Sequence, residues 1–240
     1  VQCNAGDTLK FAVLSKLIFG WNSSIIARNA STVSGYIKSK STKKINEFLY
    51  SKTAAIISVS EYSKNDLNQL FPATKNKSTV IPIGVENLII HEVDWKEAPK
   101  ASINIIHVGG FTFEKNHKGL LNIWKLFLKE QPNAILHLFG DGPLRNEIEN
   151  AVALDGLQSS IVFYGWVANP LDYIAKADVL VLPSIIEGLP GVILEAMYCK
   201  TLVVANNVGG ISEIVKPNET GFLAEKGDEL GFATKMKQAI

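Results

Sequence analysis

The chain has 240 residues, 47% of them hydrophobic, and its 24 Lys+Arg nearly balance 23 Asp+Glu for a formal net charge of +1. Such a composition is too apolar for a disordered segment and long enough for one large domain or two small ones. The low net charge, and a basic run without interleaved aromatics, exclude a phosphate-tracking nucleic-acid groove. Cys3 and Cys199 lie too far apart, with no accompanying histidine spacing, for a disulfide framework or a metal site, and this cysteine usage fits a reducing, cytosolic setting. The first apolar run, FAVLSKLIFGW at 11–21, is interrupted by Lys16 and falls short of the roughly 20 residues of a membrane span. The sequence opens on Val1 in mid-pattern, with no signal peptide to read.

From the amino end, apolar runs of strand length alternate with amphipathic runs of helix length. A helix over 7–19 leads to a strand at 24–28, a helix over 42–52, a strand at 55–60, a helix over 61–70 and a strand at 79–83. The apolar period lapses in ENLIIHEVDWKEAPKA (86–101), where charge and Pro99 enter. Strands follow at 103–109, 134–140, 160–165, 178–184 and 201–206, interleaved with helices over 118–131, 143–154, 170–176 and 190–199 and succeeded by helices over 210–216 and 228–239. The strands are rich in Ile and Val with little polar alternation, the pattern of strands buried on both faces. Their alternation with helices predicts an α/β protein with doubly wound, parallel, Rossmann-like sheets. The expected domains are 1–86 and 102–240, joined by a linker at 87–101. Charge divides similarly, with a net of +4 over residues 1–99 and −3 over 100–240. Much of the positive excess is KSKSTKK (38–44), read as a solvated loop leading into a helix in preference to a surface for an acidic partner or an anionic membrane.

One stretch resists a purely structural reading. LPSIIEGLPGVILEAMYC (182–199) has the pattern of a strand end, a turn and a buried helix, yet it carries Glu187 and Glu195. A carboxylate buried without a partner is strongly destabilising, so each needs a reason. Ligands of open α/β sheets bind beyond the carboxyl ends of the strands, where Glu187 falls. The helix start at 190–193 offers free N–H groups and the positive end of the helix dipole to a phosphate. Glu195 would lie on the order of 10 Å from Glu187 if the step is mostly helical. A molecule with hydroxyls at both ends and a diphosphate between them, such as a sugar nucleotide, fits that spacing. The alternative is that Glu187 caps the helix and Glu195 pairs with a surface lysine. Three further strand ends carry glycine-containing loops: HVGGFTFEKNHKG (107–119) with Lys115, FGDGP (139–143) and FYGWV (163–167).

These elements, in order, with the NVGGISEIV (207–215) and GFL (221–223) segments, resemble the carboxyl-terminal donor-binding domain of GT-B fold glycosyltransferases of family 4, which are retaining enzymes. SVSEYSKNDLNQLFP (58–72) and VIPIGVE (80–86) resemble the end of that family's amino-terminal, acceptor-side domain and its crossing into the second. The resemblance implies transfer of a sugar from a UDP- or GDP-sugar to an acceptor hydroxyl with retention, on a saccharide or lipid-linked acceptor, in cell-surface polysaccharide or glycolipid synthesis. It implies a cytoplasmic protein that associates peripherally with the inner face of the cytoplasmic membrane. No cofactor is expected beyond the donor, and no metal, since no D-x-D motif is present. Glu195 matches the glutamate that holds the donor ribose, and Glu187 the one beside the transferred sugar. Gly188, Leu189, Pro190, Gly191, Val192 and Ile193 match the loop and helix start cradling the diphosphate. Lys115 matches the lysine that neutralises the leaving diphosphate, Gly110 and Phe111 match the loop before it, and Trp166 and Val167 lie at positions beside the base. Glu187 and Lys115 are thereby the candidate catalytic residues.

Two positions depart from the family. Where it usually has an arginine after the first loop's glycine there is Gly110, and where many relatives have an acceptor-cleft histidine there is Asn29. Residues 1–86 supply only about the last three strands of the amino-terminal sheet that the family carries. Histidines 107, 117 and 137 are read as packed side chains of the second domain, with His117 the one that could approach a ligand. Two other readings remain open: a donor-binding subunit or inactive fragment without independent catalysis, and a nucleotide-sugar 2-epimerase on the same fold. The scarcity of acidic and histidine groups in residues 1–86 counts against the epimerase.

Overall fold

The computed structural model describes residues 1–4, 6–86, 89–95 and 103–240. Positions 87–88 and 96–101 of the expected linker lie outside the described residues. By contacts the chain forms two units, Val1–Ile83 with Ile186–Leu189, and Gly84–Ile185 with Pro190–Ile240.

In the first unit four parallel strands, β1 (Gln2–Cys3), β2 (Ile26–Asn29), β3 (Ala55–Ser58) and β4 (Ser78–Val80), pair in that order. The pattern analysis finds three of them; β1 has two residues, too few to show any periodicity. Helices α1 (Gly6–Phe19), α2 (Lys40–Ser51) and α3 (Glu61–Leu70) complete the unit. Its core gathers Leu9 and Val13 of α1, Ile25, Ala27 and Ile56 of the strand segments, and Leu67 and Phe71. Helices α2 and α3 start at serines: Thr42 N–H donates to Ser39 Oγ at 3.1 Å, and Ser63 N–H to Ser60 Oγ at 3.1 Å. The Ser39 cap begins α2 two residues earlier than expected. Most of the KSKSTKK run is therefore the first turn of a helix, not a loop. Asn29, at the end of β2, is buried, and its Nδ2 donates to Ser63 O at 2.9 Å and to Ser58 Oγ at 3.3 Å. In the segment that groups with this unit, Glu187 O accepts from Thr32 Oγ1 at 2.6 Å.

The second unit has six parallel strands, β5 (Ile103–Val108), β6 (Ala134–Phe139), β7 (Ile161–Gly165), β8 (Val179–Leu182), β9 (Leu202–Asn206) and β10 (Gly221–Ala224). Their order is β10-β9-β8-β5-β6-β7. The helices are α4 (His117–Leu128), α5 (Arg145–Leu154), α6 (Leu171–Lys176), α7 (Gly191–Tyr198), α8 (Ile211–Ile214) and α9 (Glu229–Gln238). Consecutive residues of the central strands enter different apolar clusters. Ile105, Val179, Val181 and Val204 pack with Trp124, Phe127 and Phe232, whereas Ile106, Leu180, Leu182, Val203 and Ala205 pack with Ile193 and Ala196. Both sheet faces are thus covered, which is why these strands show no polar alternation. β10 escapes the pattern analysis because it has four residues and follows a turn through Asn218, at φ 63. Strand order reverses between β5 and β8, so the carboxyl ends of these two strands flank the topological switch point, the place where open α/β sheets receive ligands.

Candidate functional site

The loop leaving β5 is built so that backbone lies close to backbone. Gly109 N–H donates to Phe139 O at 2.9 Å. A Cβ on Gly140, which sits at φ +126, would lie 2.1 Å from Gly109 O. Only glycine lets the loops after β5 and β6 cross there. Phe111 then turns inward: its ring is 1% exposed and stacks on His117 at 4.0 Å. Its N–H donates to Asp141 O at 3.0 Å and its carbonyl accepts from Leu144 N–H at 3.0 Å. Phe111 therefore anchors the loop with both ring and backbone.

Beyond a short 3₁₀ turn, Phe113–Lys115, comes Asn116 in the left-handed region at φ 55. Its Oδ1 accepts from Gly119 N–H at 3.2 Å, capping α4, and its Nδ2 donates across the switch point to Pro183 O at 3.1 Å. Ile185 N–H donates to Glu114 O at 2.8 Å, a second tie between the loops after β5 and β8. Asn206, at the end of β9, adds a third brace: its Nδ2 donates to Pro183 O at 2.9 Å and Ser184 O at 3.1 Å. Neither asparagine is among the expected site residues. Asn116 carries a readable cap signal, an Asn directly before a helix. Asn206 shows only as a polar residue closing an apolar run.

Lys115 lies along this loop. A Cβ on Gly109 would meet its Cδ at 3.2 Å and its Cε at 3.3 Å, so the stem rests against the bare face of that glycine. Gly110 is more open, and a Cβ there would find Asp141 O at 3.5 Å and Thr112 Cγ2 at 3.7 Å. Buried beneath are His107 and His117. Burial, helped by the nearby Lys115 charge, pushes His107 down to about 4. Burial, His107 and Lys115 push His117 down to about 2. Both imidazoles are neutral at physiological pH, and neither is an acid or base for solvent-side chemistry. His137 is likewise buried and pushed to about 4, with its Nε2 3.0 Å from Asn104 Oδ1 and its Nδ1 3.2 Å from the Tyr164 hydroxyl.

Helix α7 follows β8. Pro190 is its extended N-cap residue and makes no side-chain cap hydrogen bond of its own, and the first N–H groups of an α-helix have no intrahelical acceptor. Glu195 sits half-buried in this helix, and burial alone holds its carboxyl above the usual range. A lysine partner would pull it the other way. Trp166, just past β7, is 77% exposed, while Val167 packs against the cluster around Ile193. Glu187, Gly188 and Leu189 are buried and belong to the segment grouped with the first unit. Among the described residues no group of three His, Cys, Asp or Glu side chains could hold a metal ion, and no helix is long and apolar enough to cross a membrane.

A family model described as glycosyl transferases group 1 matches residues 102–240. An uncharacterized glycosyltransferase of Methanocaldococcus jannaschii is 33% identical over 198 residues, 80% of this chain and 52% of the relative. The Campylobacter jejuni N-acetylgalactosamine-N,N'-diacetylbacillosaminyl-diphospho-undecaprenol 4-alpha-N-acetylgalactosaminyltransferase is 24% identical over 236 residues, 96% of this chain and 64% of the relative. The crystal structure of Anabaena Alr3699/HepE in complex with UDP and glucose matches with a TM-score of 0.84 at 20% identity, covering 99% of this chain and 67% of that one. The chain spans about half the length of the curated relatives first matched. The fold is of the GT-B type. With its model matching the whole of the second unit's parallel sheet, more than half of the chain, the chain belongs to the glycosyl transferases group 1 family.

Proposed function

We propose that this chain carries the donor-binding half of a retaining glycosyltransferase that moves a sugar from a nucleoside diphosphate sugar to an acceptor hydroxyl. The observation that carries the reading is the presence, at one sheet edge, of a lysine laid along the β5 loop and, on α7, of a half-buried carboxylate whose pKa burial raises. The carboxylate suits the ribose hydroxyls as an acceptor, and the start of α7 together with Lys115 suits the diphosphate. During transfer the bond from the anomeric carbon to the diphosphate oxygen breaks and a bond to the acceptor oxygen forms. Charge grows on the departing diphosphate, and preorganised positive groups lower the barrier by meeting it. Glu187 is assigned to the hydroxyls of the transferred sugar, and Trp166 and Val167 to the neighbourhood of the base.

UDP is the favoured nucleotide, because matched structures such as that of HepE were solved with UDP. A lipid-linked or polysaccharide acceptor is favoured by relatives named for diphospho-undecaprenol and capsular polysaccharide. Action on such acceptors at the cytoplasmic face of the membrane is part of this proposal. A second reading, donor binding without independent catalysis, is favoured by Gly110, which removes one positive charge, and by Asn29, whose amide is committed to Ser58 and Ser63. Thermal unfolding with UDP-, GDP- and ADP-sugars tests the donor assignment. A donor at one hundred times its Kd stabilises the fold by about 2.7 kcal/mol. No rise in Tm with any of the three overturns it. Anomeric configuration of the product, read by NMR, tests retention, and loss of turnover with EDTA that manganese restores overturns the metal-free chemistry.

A further inference from the structure

His107, the penultimate residue of β5, is fully buried, and its Nδ1 lies 2.9 Å from Val181 O on β8. A carbonyl only accepts, so the proton sits on Nδ1 and Nε2 carries the lone pair. That Nε2 is buried with no hydrogen-bond partner among the described residues. An unpaired buried acceptor is destabilising, and its persistence calls for an explanation. The same Nε2 lies 3.3 Å from the point a Cβ on Gly109 would occupy, and so do Lys115 Cδ at 3.2 Å and Cε at 3.3 Å. A lone pair and the two methylenes next to an ammonium thus converge over one glycine. The His117 ring stands edge-on to His107 at 4.8 Å, itself stacked beneath Phe111, and together with the Val181 bond it keeps the His107 ring from turning away.

We propose that His107 is a positioning residue: its fixed Nε2 lone pair sets where the Lys115 ammonium is held to meet the donor diphosphate. This rests on the reading of Lys115 as the diphosphate lysine. An apolar side chain of similar size would fill the same space without directing the charge.

The test is a double-mutant cycle read as UDP affinity by calorimetry, with His107→Leu and Lys115→Ala alone and combined. Lys115→Ala should weaken UDP about tenfold or more, as expected for a lost charge-assisted contact. His107→Leu should weaken UDP about three- to tenfold with Lys115 present and less than about twofold in the Lys115→Ala background, because residues that act through one another are not additive. His107→Gln, which keeps an acceptor near the Nε2 position, should recover part of the loss, and it carries the same cycle if the leucine variant does not fold. An equal loss in both Lys115 backgrounds means His107 only supports the fold, and overturns the proposal while leaving the donor site intact. UDP binding unchanged by Lys115→Ala overturns the donor-site reading, and this proposal with it.

Discussion

Glu195→Gln should move two observables in opposite directions. In the folded protein burial raises the carboxyl's pKa above its ordinary 4.5. The folded state then binds the proton more tightly than the unfolded chain, so stability falls as pH rises through this range, and at about pH 7 ionised Glu195 destabilises the ligand-free fold. Glutamine removes the charge at nearly the same volume, so the free variant should melt higher than wild type at about pH 7. The gap should narrow as pH falls through the carboxyl's range, where wild type also becomes neutral. For the ligand the sign reverses. Losing a charge-assisted acceptor for ribose hydroxyls is worth about 1.5–3 kcal/mol, or roughly ten- to more than a hundredfold in Kd. Calorimetry with UDP and scanning fluorimetry without it read the two effects on the same preparation. A variant that melts lower and binds UDP as wild type does would refute the reasoning, since Glu195 would then be a structural partner.

Glu187→Gln should leave UDP affinity nearly unchanged while weakening a UDP-sugar; equal losses for the two ligands in calorimetry would return Glu187 to a nucleotide-binding or structural role. Gly110→Arg should tighten UDP binding several-fold, because a Cβ fits there at ordinary contact distances and the added guanidinium supplies a second charge to the diphosphate; unchanged affinity with an intact fold means this loop does not face the diphosphate. His107, His117 and His137, pushed to about 4, 2 and 4 from 6.5, bind fewer protons folded than unfolded, so they contribute stability above about pH 6.5 that is lost as pH falls toward 4. Each can contribute a slope of at most about 1.4 kcal/mol per pH unit there, and a flat urea midpoint between about pH 7 and pH 5 would refute their neutral burial.

The second unit's sheet was legible because its physics is local. A strand whose residues alternate between two apolar clusters, as Ile105 and Ile106 or Val179 and Leu180 do, must be apolar throughout, and that shows in any short window. The start of α7 and Glu195 were legible for the same reason: a proline, a helix and one anomalous carboxylate lie within a few residues. His107 was not. In INIIHVG it interrupts an apolar strand, and what makes its full burial tolerable is the Val181 carbonyl on a strand 74 residues later. Asn116 likewise reads as a helix cap, and only the fold shows its other hand on Pro183, 67 residues away.

The parts hidden from the sequence share one cause. At the switch point β5 and β8 are neighbours in the sheet but distant in the chain, so every group that braces the site across that seam has its partner in another segment. Asn116, Glu114 and His107 each make such a bond, and Asn206, at the end of β9, braces the loop after β8 from its other side. Composition near a strand end reveals which residues can meet a ligand, because ligand chemistry selects charged and glycine positions. It does not reveal which residues hold those groups still, because a brace needs only one donor or acceptor and a distant carbonyl. In this chain Lys115 is readable and His107 is not, although the geometry places the two against the same face of Gly109.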